Sequence, residues 1–381
     1  MKPKVLATSW HTGAINAIIP VIKKLKQEKK VDIITIGHQY SEEILDNQKI
    51  KYKRISDYDL KDVSLESMND LLKQESPNLI LTGTSIQDEN NIDVLEQTIT
   101  LAGRQNKIFS IAVLDHWENI SSSFDNIFSE EQFKFLPDKI AIMDNYAEKD
   151  MLKKGFEKDR LIITGNPHFD NLEAKAKRFS EKEKNNLRQQ IGLGGEVLFF
   201  YVAGAWKKEK SKLGFWDLDN LKLVEDVLRE LSECKSQKYA LVVKLHPRVP
   251  EEDFFDINNY IQKKNDRRIR LSKDIHPHKL ILASEATLTP FSTLGIEAVY
   301  MGKPCISLQP NLQGKDHFAI LTENGMISVG YTKKNCKELI RQAYIDSDYR
   351  EELIQQASCF RTDGKAAERV TDLVYKFIEI K

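Results

Sequence analysis

Lys244-Leu245-His246-Pro247-Arg248 combines cations and an imidazole directly after Tyr239-Ala240-Leu241-Val242-Val243, an apolar run that reads as a buried strand. The proline ends the strand there. Such a strand end suits a departing phosphate, whose oxygens gain negative charge in the transition state. Lys244 and Arg248 would neutralise that charge, and His246 would donate a hydrogen bond to it. A histidine satisfied inside its own turn would account for the same short segment.

Thr287-Leu288-Thr289-Pro290-Phe291-Ser292-Thr293-Leu294-Gly295-Ile296-Glu297-Ala298 reads as a strand, a tight turn and the start of a helix capped by Ser292 or Thr293. Hydroxyls and backbone N–H groups of Ser292, Thr293 and Gly295 would meet a phosphate, and Glu297, one turn on, would reach ribose hydroxyls. The plainer alternative is a capping box closed by Glu297. Trp206-Lys207-Lys208-Glu209-Lys210, after the strand Val197–Val202, either closes over the phosphates or stays a solvated loop. His276 and His278 read as surface histidines.

The elements that must position these groups alternate from end to end, short β-branched runs with amphipathic helices, which is the pattern of parallel βαβ units. Strands are expected near Val5–Thr8, Val31–Ile36, Leu79–Leu81, Ile108–Leu114, Lys139–Met143 and Arg160–Thr164. The pattern restarts at Val197–Val202, Ala240–Leu245, Ala286–Thr289 and Pro304–Leu308, after a polar helical stretch over Leu172–Gln190. A chain of 381 residues exceeds one ordinary core, so two α/β domains are expected: 1–167 joined by the helix 366–381, and 168–365. In parallel sheets, ligands gather beyond the carboxyl ends of the strands.

Lys plus Arg equals Asp plus Glu at 57 each, which leaves no global field for nucleic acid. No apolar run is long enough to span a membrane, and the N-terminal apolar run is too short for a signal peptide, so a cytoplasmic protein is expected. Cys234, Cys305, Cys336 and Cys359 are scattered without metal-ligand spacing; they read as reduced and structural, and neither metal nor cofactor is expected.

Gly165-Asn166-Pro167, Lys-Leu-His-Pro at 244–247, Ser292–Ala298 followed by Met301-Gly302-Lys303-Pro304, and Asp363-Gly364-Lys365-Ala366-Ala367 together resemble glycosyltransferases and nucleotide-sugar epimerases of the GT-B fold. The resemblance is strong in the second half and extends to the first only in layout. It implies two Rossmann-like domains facing across a cleft, with the C-terminal one holding the nucleotide donor through His246, Ser292, Thr293 and Glu297, and the other the acceptor. It also implies that Gln313 approaches the sugar. The motifs are similar to those of bacterial capsule and wall-polymer transferases, including users of CMP-sialic acid, CMP-Kdo and CDP-glycerol. A CMP-, CDP- or UDP-linked donor and a glycan or lipid-linked acceptor follow as expectations. Lys23, Lys24, Lys26, Lys29 and Lys30 would let the chain rest peripherally on anionic lipid.

Hydrolysing UDP-GlcNAc 2-epimerases are the alternative, and a non-catalytic nucleotide-sugar-binding protein is a further one. The epimerases carry a Gly-Asp-Thr turn where this chain has Gly83-Thr84-Ser85, without the acid. An inverting transferase needs instead one base for the acceptor's proton. Asp115, in Leu114-Asp115-His116-Trp117-Glu118-Asn119, is the first candidate and His11 the second. The paired glutamates eight residues apart found in retaining relatives are absent, since position 289 is threonine, which favours inversion. Closure about Gly165–Asp170 would expel water from the reaction.

Overall fold

A computed structural model describes every residue except 1, 88–90, 119, 130, 236, 247, 248, 361, 380 and 381, and the side chains of 359 and 379. The chain divides into two compact units, Met1–Asn171 with Thr362–Lys381, and Leu172–Arg361.

The first unit is built on β1 (Lys4–Thr8), β2 (Asp32–Gly37), β3 (Lys53–Arg54), β4 (Leu79–Thr82), β5 (Phe109–Val113), β6 (Lys139–Ile142) and β7 (Leu161–Ile163). They form one sheet in the order β3-β2-β1-β4-β5-β6-β7, and every pairing is parallel. Strands buried on both faces read as continuous apolar runs, and Val5, Leu6 and Ala7 of β1 are accordingly all fully buried. The helix Thr12–Glu28 lays Ile15, Ile18, Ile22 and Leu25 against this sheet, the spacing of one helical face. Val370, Leu373, Val374 and Ile378 of the last helix, Ala366–Glu379, join the same core.

Asp170 fastens that helix. Its carboxylate accepts from the N–H groups of Ala366 (3.1 Å) and Ala367 (2.8 Å) and from the Thr362 hydroxyl (2.8 Å), capping a helix almost two hundred residues away. Gly165, at φ +81°, lies so close that an added Cβ would sit 3.0 Å from that of Ala366. The glycine turn and the Asp363–Ala367 segment are thus two sides of one contact.

The second unit repeats the strand order without a seventh strand: β8 (Val197–Val202), β9 (Tyr239–Lys244), β10 (Ile269–Leu271), β11 (Ala286–Thr289), β12 (Cys305–Leu308) and β13 (Ser328–Gly330) run β10-β9-β8-β11-β12-β13, all parallel. Each unit therefore reverses its winding once, between β1 and β4 and between β8 and β11, and such switch points are where ligands sit in open parallel sheets. The polar stretch 172–190 is two helices, Asp170–Arg178 and Glu181–Gln190, rather than one. Ser180 breaks it by starting a capping box with Glu183. Among the described residues no helix is long and apolar enough to cross a membrane.

Candidate active site

In the second unit, the loops after β8, β9 and β11 carry the groups singled out in the sequence. Lys244 ends β9, and partial burial holds its pKa below that of an ordinary lysine. His246 follows, with the Trp206 ring edge-on to its imidazole at 6.0 Å. The Trp206 indole N–H is buried and meets no protein acceptor among the described residues. Arg248 lies outside the described residues. Lys207 is drawn away into ion pairs with Glu252 (2.5 Å) and Asp256 (3.1 Å), the behaviour of a solvated loop.

The small residues Ala203-Gly204-Ala205 are held in place by Asp217, a residue that sequence reasoning missed. Its buried carboxylate accepts from the N–H groups of Gly204 (3.0 Å) and Ala205 (2.9 Å) and from the Tyr201 hydroxyl (2.8 Å). Burial outweighs those bonds and pushes its pKa up to about 7.

Ser292 caps the helix Thr293–Tyr300, its hydroxyl accepting from the Leu294 N–H at 3.3 Å, and Thr293 is exposed. Gly295 faces inward: an added Cβ would stand 2.8 Å from both Cys305 Sγ and Thr289 Cγ2. Its absent side chain lets this helix pack close to β11 and β12. Glu297 does not close a capping box; it is buried and paired with His278 at 2.5 Å, Oε2 to Nε2. His278 is therefore not a surface histidine, and His276 packs edge-on to it at 4.8 Å. Gln313 is exposed, in a loop whose backbone bonds to Leu213 and whose neighbour Asp316 is bonded to Gln309, Thr322 and Tyr331.

In the first unit, Asp115 follows β5. Its Oδ1 accepts from the Thr84 hydroxyl at 2.8 Å, and its Oδ2 lies over Gly13 in the first turn of the helix Thr12–Glu28. Asn166 donates to its backbone carbonyl at 3.1 Å. Burial around the carboxyl pushes its pKa up to about 6, against the opposing bond from Thr84. His11 stands at the N-cap position of the helix Thr12–Glu28 without a side-chain capping bond, its ring tilted against Trp10 (4.4 Å) and stacked on Tyr40 (6.1 Å).

Glu96, also unforeseen, ties these loops together. Its buried Oε1 accepts from the Ser9 hydroxyl (2.6 Å), the Trp10 N–H (2.7 Å) and the Ser85 hydroxyl (2.7 Å). Asp115 and His11 thus stand on loops after β5 and β1, both braced by the loop after β4. Among the described residues no group of three or more His, Cys, Asp or Glu is arranged to hold a metal ion.

Solved structures share this architecture over their whole length. The Staphylococcus aureus MnaA–UDP structure is 18% identical, with 100% of this chain and 98% of that chain covered and a TM-score of 0.72. A putative UDP-N-acetylglucosamine 2-epimerase from Listeria monocytogenes (15%, 100% and 98%, TM-score 0.73) and the UDP-GlcNAc-bound 2-epimerase of Neisseria meningitidis (16%, 98% and 100%, TM-score 0.72) are similar to the same degree. At such identities the likeness defines the fold: two Rossmann-like domains of the GT-B class. No curated protein matches the sequence. Residues 131–376, more than half of the chain, match the model of the CDP-Glycerol:Poly(glycerophosphate) glycerophosphotransferase family, and the chain belongs to that family. It is a transferase by family, of the kind that draws on nucleotide-activated donors.

Proposed function

We propose that this protein is a metal-independent transferase that moves a polyol phosphate, or with inversion a sugar, from a cytidine-linked donor to a hydroxyl of a cell-envelope or capsule polysaccharide. The observation that carries the reading is the family match over residues 131–376, which takes in His246, Ser292 and Glu297. With a CDP-polyol donor, the acceptor oxygen attacks the phosphorus bearing the polyol. The bond from that phosphorus to the bridging oxygen breaks, and CMP leaves with its electron pair. The acceptor proton passes to Asp115, while His246 and Lys244 stabilise the leaving phosphate. Trp206 and the capped turn at Ser292 bind the donor, and Glu297 takes the ribose.

A thermal-shift panel of CMP, CDP, UDP, GDP and dTDP tests the donor, because a ligand at 100 times its dissociation constant stabilises by about 2.7 kcal/mol. Cytidine nucleotides should shift the protein most. Conversion of UDP-GlcNAc without any acceptor would instead make it a 2-epimerase, and absence of any shift would overturn the donor site. His246→Ala should lower turnover by about 10²-fold at unchanged fold; near-normal turnover would remove His246 from the chemistry.

A further inference from the structure

His278 and Glu297 form a pair that the packing of their helices does not call for. His278 lies on the short helix Pro277–Ala283, which already buries Leu280, Ile281 and Ala283. Glu297 lies on the helix Thr293–Tyr300, which already buries Ile296, Ala298 and Val299. Apolar side chains of similar size would join two such helices at least as firmly, because a buried carboxylate costs desolvation. Yet imidazole Nε2 and carboxylate Oε2 stand 2.5 Å apart, with only 13% and 12% of the two side chains exposed. The pair sits on the helix capped by Ser292, directly after β11, where the second unit reverses its winding.

The surroundings fix which way this bond runs. Pro277 begins the helix, His276 Nδ1 accepts from the His278 N–H at 3.2 Å, and the His276 ring stands edge-on to the His278 ring at 4.8 Å. The backbone and ring of His278 are therefore held from one side. Its Nδ1 is buried and meets no partner among the described residues. A proton there would be a buried donor without an acceptor, so the proton sits on Nε2 and is donated to Glu297 Oε2. A carboxylate held in this way keeps one orientation and stays an acceptor, so the ligand groups it can bind are donors such as hydroxyls.

We propose that His278 is a positioning residue: it aims Glu297 at the two ring hydroxyls of the donor's ribose and thereby makes the site select ribonucleotides over deoxyribonucleotides. The inference rests on the donor reading above, which gives the ribose to Glu297. Calorimetric titration of the full chain with CDP and with 2′,3′-dideoxy-CDP tests it. The parent should bind CDP about tenfold more tightly, the size of one hydrogen bond to a charged group. His278→Phe keeps a ring in place but has no N–H to donate. Its preference should fall to about twofold or less through weaker CDP binding, with the affinity for dideoxy-CDP unchanged. His278→Gln, whose amide N–H can replace Nε2–H, should keep most of the preference. Equal weakening of both nucleotides by His278→Phe would mark the residue as merely structural and overturn the proposal. So would a preference untouched by His278→Phe or abolished by His278→Gln. A parent that binds both nucleotides equally overturns this inference and leaves the donor site standing; a parent that binds neither overturns the donor site, and the inference with it.

Discussion

Asp115, the proposed base, also bears on stability through its raised pKa, and the two roles can be separated by measurement. Its folded-state pKa of about 6 lies above the ordinary 3.8, so the folded protein holds that proton more tightly than the unfolded chain does. The resulting stabilisation is fully present below about pH 4 and is lost as pH rises through 6, at most ~3 kcal/mol. Asp115→Asn cannot ionise and keeps a partner for the Thr84 hydroxyl. The variant should therefore match the parent in melting temperature at pH 4 and exceed it at pH 7.5, while turnover falls by about 10²–10⁴-fold. As a base, Asp115 must be ionised to act, so the parent's rate should climb with pH through an inflection near 6. A variant that loses both stability and activity at pH 7.5 would mark Asp115 as structural. The sequence made Asp115 and His246 visible because each follows an apolar strand, where parallel sheets present their ligands. It hid Glu96, Asp217 and the His278–Glu297 pair, because each acts through a partner on another element. No local spacing announces such a partner.

At the level of elements, two residues that look alike in sequence bear different loads. Gly295→Ala would drive a methyl group to 2.8 Å from Cys305 Sγ and Thr289 Cγ2, forcing the helix Thr293–Tyr300 off the sheet at a cost of about 1–3 kcal/mol. Gly195, with nothing within 4 Å of its would-be Cβ, should accept alanine without measurable loss, and equal denaturation midpoints for the two variants would refute the packing argument. Strands with apolar runs of four or more residues, such as β5 and β8, were legible to within a residue or two. β3, β10 and β13 were not, since two or three residues such as Lys53-Arg54 or Ser328-Val329-Gly330 carry no periodicity. The helix Glu251–Lys264 escaped for a related reason: only Asp253, Ile257 and Ile261 of its fourteen residues are buried, too narrow a stripe to stand out.

For the whole molecule, the decisive feature is that the two units carry separate cores. One gathers around Phe199, Tyr201, Val224 and Ile340, the other around Val5, Ile18, Leu81 and Val374. Chains built in this way need not unfold in one step. Calorimetry should then resolve two transitions that respond to different perturbations. Asp170→Ala removes three bonds at the start of the last helix and should lower only the first unit's transition. The loss of a cap, about 1–2 kcal/mol, corresponds to roughly 2–8 °C in a unit of this size. CDP at saturating concentration should raise only the second unit's transition, because its proposed ligands, Lys244, His246, Ser292 and Glu297, all lie there. If Asp170→Ala and CDP instead move the same transition, the donor site draws on the first unit as well, and assignment of the donor to one domain fails.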